Sequence, residues 1–164
     1  MTPQVINIHA SCVVVGRAGD ALGAPGDAGL LLLGESGSGK SDLALRLIGL
    51  GAELVADDRC DLFVSSGVLH ATAPSALAGM IEVRGLGIVS MPYRSEAQIK
   101  LVVRLAASDA VPRMPEPRRY RPPGSLTVPE SGLPHEILLA PFEASTPIKI
   151  IAAIAAFTRS TPVL

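Results

Sequence analysis

The chain has few aromatic side chains and no tryptophan. Aromatic residues make up 3% of the 164 residues, whereas hydrophobic residues as a whole make up 48%. We therefore expect a core built mainly from leucine, valine, isoleucine and alanine. A chain of this length is typical of one domain that is large enough to bury such a core, so we predict a single domain over residues 1–164.

An excess of charge of one sign is also missing. The formal net charge is −1, which argues against non-specific nucleic-acid binding, because that binding needs a basic surface. The apolar stretch at 148–157 contains a lysine and is too short to cross a bilayer. The first residues lack the basic and apolar regions of a signal peptide. We expect a soluble cytoplasmic protein with no membrane partner.

Cysteine is nearly absent, with Cys12 and Cys60 in separate strand-like apolar runs. The two residues are far enough apart in the sequence to form a disulfide in principle. Buried free thiols in a reducing cytoplasm fit this pattern better.

The chain does contain a phosphate-binding motif. Residues 34–41, Gly-Glu-Ser-Gly-Ser-Gly-Lys-Ser, match G-x-x-x-x-G-K-[ST] at every fixed position. An apolar run at 30–33 predicts a buried strand before the motif, and residues 42–48 predict a helix after it. This order surrounds a phosphate with backbone N–H groups and a helix N-terminus. The alternative, a chance Gly/Ser turn, explains the context less well.

The motif predicts binding of a nucleotide or another polyphosphate. Lys40 would reach the β- and γ-phosphates, and the Ser41 hydroxyl would ligate Mg²⁺. The predicted phosphate-binding residues are Gly34, Glu35, Ser36, Gly37, Ser38, Gly39, Lys40 and Ser41.

Hydrophobic patterning predicts mostly strands and hairpins around this loop. Strands are expected at 6–15, 30–33, 53–56, 60–64, 68–72, 81–84, 88–90, 99–105 and 137–140. Helices are expected from 42 to about 49–51 and over 148–158, the second starting at a proline. A fold of alternating strands and helices would show more helices, so we predict an α/β fold in which a mixed sheet carries a single P-loop helix.

Two connecting segments have an unusual composition. Residues 16–29 are rich in Gly, Ala and Asp and predict a flexible hairpin connection. Residues 111–129 are dense in Pro and Arg and predict a mobile or irregular surface segment. The arginines of this segment could close over phosphates, meet an acidic partner or belong to a solvated loop; they are Arg113, Arg118, Arg119 and Arg121.

A pair of carboxylates, Asp57 and Asp58, follows the predicted strand at 53–56. In open α/β sheets, ligands bind beyond the carboxyl ends of strands. A carboxylate there can bind Mg²⁺ or accept the proton of an attacking hydroxyl. Adjacent side chains on a strand point to opposite sides, so we expect different roles for the two. The alternative is a turn-forming pair bonded to Arg59.

Three further residues are weaker candidates. Glu82 and Arg84 alternate on a predicted strand and would share a face, where they could add a metal ligand and neutralise phosphate. An exposed Glu–Arg pair is, however, common on strands. His9 lies in an apolar strand, and its spacing alone favours a structural role.

Taken in order, these segments resemble the HPr kinase/phosphorylase family. The resemblance rests on residues 8–11, 34–45, 54–59 and 81–89, of which Glu-Val-Arg-Gly-Leu-Gly-Ile at 82–88 is close to a family signature. It implies a phosphoenolpyruvate-carboxykinase-like P-loop fold. It also implies ATP- or pyrophosphate- and Mg²⁺-dependent phosphorylation of a serine in an HPr-like phosphocarrier protein, with reverse phosphorolysis, and a homo-oligomer, a hexamer in the family.

The resemblance also implies site roles. Asp58 would be the base, Asp57 would support it or the metal, and Ser41 and Glu82 would bind Mg²⁺. His9 matches the family's catalytic-site histidine, which reverses the structural interpretation. Lys40 and Arg84 would act on the phosphates, and a later catalytic arginine would be Arg118 or Arg119.

The sequence departs from the longer members of the family. The histidine stands at position 9, so we expect a short form that holds the catalytic domain only. Residues 141–149 depart from the Pro/Gly/Arg loop linked to dephosphorylation, so kinase activity is better supported than phosphorolysis. The alternatives are a non-catalytic nucleotide sensor and a kinase for another hydroxyl acceptor.

Overall fold

A computed structural model describes residues 3–159. These residues form nine strands, two α-helices and four short 3₁₀ helices. The strands are β1 (Ile6–Val14), β2 (Ala28–Leu33), β3 (Glu53–Ala56), β4 (Arg59–Ser65), β5 (Val68–Thr72), β6 (Met80–Val83), β7 (Gly87–Ser90), β8 (Ala97–Leu105) and β9 (His135–Leu139). The helices are α1 (Lys40–Gly49) and α2 (Thr146–Thr158).

Seven of these strands form one mixed sheet, and β6 and β7 form a separate antiparallel hairpin. In the sheet, β2 lies between β1, which is antiparallel to it, and β8, which is parallel to it. The β4–β5 hairpin pairs with β1 on one side and β8 on the other, so the sheet curls back on itself. Strand β9 adds to β8 in parallel. The carboxyl ends of β2, β8 and β9 therefore lie at one edge.

Strand β2 is buried on both faces, as its unbroken leucine run requires. Leu30 and Leu32 pack on one face against α1 and α2, with Leu43 and Ile150 in the same cluster. Leu31 faces the opposite cluster beneath the β4–β5 hairpin. This burial fixes the end of β2, and so the start of the phosphate-binding loop, at the centre of the sheet.

Two connections differ from the sequence-based expectation. The segment predicted as a flexible hairpin connection contains a 3₁₀ helix, Gly16–Leu22, whose Gly19 is buried. The Pro- and Arg-rich segment at 111–129 is irregular as predicted, but its Tyr120 and Val128 are buried in the core. Neither composition shows these contacts, because the 3₁₀ helix packs against α2 and the later segment packs against strands that are distant in the sequence.

Cys12 and Cys60 are free and buried, as predicted. Burial raises the pKa of both thiols. Among the described residues, no helix is long and apolar enough to span a membrane.

The central position of β2 predicts that its leucines dominate stability. We expect Leu32→Ala to lower the free energy of unfolding by about 2–5 kcal/mol, because the side chain is fully buried. Leu86→Ala is the matched control, since Leu86 is 78% exposed and should change stability by no more than about 0.5 kcal/mol. Urea denaturation measures both, and equal losses would contradict this account of the core.

Candidate active site

The phosphate-binding motif connects the carboxyl end of β2 to the first residue of α1. Gly37 and Gly39 take the left-handed backbone conformation, with φ of 80° and 103°, which favours glycine. A Cβ at Gly39 would lie 2.8 Å from the Phe142 ring, whereas a Cβ at Gly37 would meet nothing within 4 Å. Backbone N–H groups of the loop and the start of α1 thus form the type of cradle that holds phosphate.

Lys40 lies within this cradle and is only 5% exposed. Its Nζ donates hydrogen bonds to the carbonyl oxygens of Gly34 (2.8 Å) and Glu35 (2.9 Å), which are two of the three that an ammonium can make. Burial lowers the pKa of the Lys40 ammonium, and the negative charges of Asp58 and Asp57 act in the opposite direction.

Asp57 joins several parts of the site although it is only 6% exposed. Its Oδ1 accepts hydrogen bonds from the hydroxyls of Ser11 (2.8 Å) and Ser41 (2.7 Å). Its Oδ2 accepts a hydrogen bond from the Glu82 backbone N–H (3.1 Å). The same Ser41 hydroxyl also lies 3.0 Å from Oδ2, farther than from Oδ1. The carboxylate therefore links β1, the start of α1 and β6.

Asp58 has a different environment from Asp57, but strand alternation is not the reason. Both aspartates lie beyond the end of β3, so strand alternation does not separate them. Asp58 has a φ of 67°, a left-handed conformation that aspartate adopts more readily than most residues. Its side chain is 61% exposed, and its Oδ1 lies 2.5 Å from His9 Nε2.

Arg59 contacts Asp57 through its backbone, where the Arg59 N–H donates to the Asp57 carbonyl at 2.8 Å. The aspartate pair therefore does form a turn, but its carboxylates bond to other residues than Arg59. A purely turn-forming role explains the backbone bond and does not explain the hydrogen bonds of the two carboxylates.

Ser11 is a site residue that the sequence interpretation missed. It is fully buried, donates to Asp57, and its Oγ accepts a hydrogen bond from the Asp58 backbone N–H at 3.3 Å. His9 and Ser11 are two residues apart on β1, and alternate residues of a strand share a face. This two-residue spacing could have identified Ser11 from the sequence, because it places His9 beside Asp58 and Ser11 beside Asp57.

A cavity of about 450 Å³ brings many of the predicted residues together, although His9 and Asp57 do not line it. It is lined by Lys40, Ser41, Asp58, Glu82, Arg84 and Phe142, among others. Arg84 lies in the turn after β6, not on the strand as predicted, yet it borders the same cavity as Glu82. Phe142 is a second residue that the sequence interpretation missed.

Comparison with known proteins shows the family of the chain. The profile of the family described as HPr Serine kinase C-terminal domain matches residues 26–119. The chain belongs to this family. The predicted family resemblance is therefore confirmed over more than half of the sequence.

Curated relatives of the family match over part of their length. The HPr kinase/phosphorylase of Leptothrix cholodnii is 40% identical over 102 residues, which are 57% of this chain and 31% of that protein. That of Clostridium novyi is 53% identical over 64 residues, which are 39% of this chain and 21% of that protein. The chain spans less than a third of the length of these relatives.

A solved structure described as the Hpr(Ser) kinase/phosphatase from Coxiella burnetii shares the fold. The TM-score is 0.69 at 24% identity, and the match covers 91% of this chain and 93% of that one. It confirms the predicted α/β fold with a mixed sheet, and the phosphoenolpyruvate-carboxykinase-like type is consistent with the family.

The donor atoms near the phosphate-binding loop fit a magnesium ion. The Ser41 hydroxyl and the Glu82 carboxylate beside the cavity are the hard oxygen ligands that Mg²⁺ prefers, and the Asp57 carboxylate holds the Ser41 hydroxyl in place. Among residues 3–159, no group of three or more His, Cys, Asp or Glu side chains could hold a metal alone. Mg²⁺ commonly binds through one or two carboxylates together with substrate phosphates.

The structure does not bring Arg118 or Arg119 to this cavity. Arg119 forms a bridge to His135 at the start of β9 and donates to the Leu133 carbonyl at 2.9 Å. The Arg118 carbonyl accepts from the Glu136 N–H at 3.0 Å. These contacts lie near the start of β9, whereas the phosphate-binding loop leaves the edge of the sheet at which β9 ends. Arg84 is the arginine that borders the cavity.

The Ser11 contacts predict a measurable contribution to stability. We expect Ser11→Ala to lower the free energy of unfolding by about 1.5–3 kcal/mol, because a hydrogen bond to a buried charged acceptor is lost. Ser65→Ala, at the exposed end of β4, is the control and should have little effect. Chemical denaturation measures both; equal stability of the two variants would remove Ser11 from the Asp57 network.

Proposed function

We propose that this chain transfers the γ-phosphoryl group of ATP to a serine hydroxyl of an HPr-like phosphocarrier protein, as a Mg²⁺-dependent enzyme. The observation that carries the proposal is that Asp58, paired with His9, borders the same cavity as Lys40 and Ser41. A carboxylate that can accept a proton thus faces a phosphate cradle.

Asp58 would act as the general base. The serine oxygen attacks the γ-phosphorus and loses its proton to an Asp58 carboxylate oxygen. The bond between the γ-phosphorus and the β,γ-bridging oxygen breaks, and ADP leaves. His9, 2.5 Å from Asp58 Oδ1, holds the carboxylate in a fixed orientation, and such positioning supplies much of the catalysis in phosphoryl transfer.

Other residues of the site would bind the phosphates. Lys40 and the loop N–H groups hold the β- and γ-phosphates, and Arg84 offsets charge on the transferred group. Bound Mg²⁺ supplies further neutralisation of phosphate charge. Ser41 and Glu82 would hold that ion, while Asp57 fixes the Ser41 hydroxyl and the Glu82 backbone through its hydrogen bonds.

The same groups could run the reaction in reverse. Inorganic phosphate would attack the phosphorus of phosphoserine, the serine oxygen would leave with a proton from Asp58, and pyrophosphate would form. We propose this phosphorolysis as a second activity, together with the cytoplasmic location and the homo-oligomer, a hexamer, that the family resemblance implies. The name of the curated relatives, HPr kinase/phosphorylase, supports both directions.

The direct test is incubation of the protein with HPr, ATP and Mg²⁺, followed by mass analysis of HPr. We expect a gain of one phosphoryl group on a serine, and its removal when phosphate is added without ATP. ATP binding without transfer to HPr would overturn the proposal. Screening other acceptors with labelled ATP then separates a kinase of different specificity from a nucleotide sensor.

Replacing the base should separate chemistry from binding. We expect Asp58→Asn to lower kcat by about 10²- to 10⁴-fold, because the amide cannot accept the serine proton, while ATP still binds. Asp27→Asn, on the exposed β1–β2 connection, is the control and should retain full activity. Turnover of the Asp58 variant at the control rate would exclude the base role.

His9 should act through Asp58. We expect His9→Ala to lower kcat by about tenfold, since the carboxylate loses its fixed orientation, and to leave the Kd for ATP unchanged. Asn7→Ala is a matched control, because Asn7 lies on the same strand and donates to a different aspartate, Asp61, at 2.7 Å. Equal kcat values for the two variants would assign His9 a structural role.

A further inference from the structure

A second cavity, of about 500 Å³, lies on the other side of the phosphate-binding loop. Its walls are the segment after β8, residues 105–108, and the segment after β9, residues 140–143, with Ser38 from the loop itself. Several of the wall residues are alanine, leucine, proline or phenylalanine, so the cavity is largely apolar. The mechanism proposed above does not use it.

This cavity adjoins the phosphate site at Phe142. Strands β2, β8 and β9 are parallel, so the phosphate-binding loop and both wall segments leave the same edge of the sheet. Phe142 borders both cavities, and its ring packs against Gly39 of the loop. A molecule whose phosphates lie in the loop could therefore extend past Phe142 into the second cavity.

The backbone that carries Phe142 is held in place although the side chain is 69% exposed. The Arg46 guanidinium on α1 donates to the carbonyl oxygens of Pro141 and Glu143, and its Nε donates to Asp42 at 2.9 Å. An exposed aromatic ring on a fixed backbone offers a stacking surface at a low cost in conformational entropy.

The two walls are also tied to each other. The Glu143 carboxylate accepts hydrogen bonds from Ser108 Oγ (3.0 Å) and Lys149 Nζ (3.3 Å). These contacts, the Ser108 bond first, lower the pKa of the Glu143 carboxyl. The cavity is thus a built feature between two connected segments.

The geometry points to the second cavity as the subsite for the nucleoside of the phosphoryl donor, with Phe142 stacking on its base. The inference rests on the nucleotide donor of the proposed function and specifies how that donor is distinguished from pyrophosphate. A flat, apolar base suits the walls and the exposed Phe142 ring.

The test compares ATP with pyrophosphate, which share the phosphate contacts and differ in the nucleoside. Isothermal titration calorimetry with Mg²⁺ gives both dissociation constants for each variant. We expect Phe142→Ala to weaken ATP binding about tenfold, the range of base–aromatic stacking, and to leave pyrophosphate binding within about twofold. Met114→Ala, at another exposed apolar side chain, is the control.

A second variant fills the cavity without touching the ring. Ala107→Leu places a larger side chain in an exposed wall position, and we expect it also to weaken ATP about tenfold and to leave pyrophosphate unchanged. Ala110→Leu, in the adjacent 3₁₀ helix, is the matched control because it does not line this cavity.

The outcomes separate this inference from the proposed function. Unchanged ATP binding in both variants, or equal losses for ATP and pyrophosphate, would overturn the nucleoside subsite while leaving phosphoryl transfer intact. Wild-type protein that binds pyrophosphate but not ATP would overturn the subsite and the ATP dependence. The titrations contain no acceptor protein. Their result therefore does not depend on whether the protein phosphorylates HPr.

Discussion

The buried carboxylate of Asp57 is the contact on which the rest of the site depends. A charge that is removed from water is stable only when hydrogen bonds replace its hydration. Here the replacements come from Ser11 on β1, Ser41 at the start of α1 and the Glu82 N–H on β6. Because one carboxylate needs all three, the phosphate-binding loop, the central sheet and the β6–β7 hairpin are fixed relative to one another.

This constraint gives the two aspartates different environments. Asp57 is buried and accepts hydrogen bonds from three donors inside the protein, so it organises the site and is poorly available to a substrate. Asp58 turns outward through its left-handed backbone and keeps one oxygen beside His9. The same short turn thus supplies a buried structural anion and an exposed carboxylate, and the second is the proton acceptor of the proposed phosphoryl transfer. The inferred nucleoside subsite extends the site in the opposite direction, past Phe142.

Much of the fold can be predicted from local sequence patterns, whereas the site can be predicted from them only in part. Strand β3 and the β4–β5 hairpin appear close to their predicted limits, because alternation and turn residues are local signals. The 3₁₀ helix at Gly16–Leu22 and the buried Tyr120 were not predicted, since both depend on contacts between distant segments. The strand argument for Asp57 and Asp58 was wrong in its geometry, because the strand ends one residue before them.

The sequence by itself determined the phosphate-binding loop, because its glycines, Lys40 and Ser41 form a contiguous motif whose chemistry is local. It also determined the family, since the motif order of residues 8–89 is specific. Only the tertiary structure decided that Ser11 bonds to Asp57, that Phe142 covers Gly39 and that Arg118 and Arg119 lie away from the cavity. Those facts depend on strand register and on which ends of β2, β8 and β9 share an edge, and burial across the whole sheet sets both.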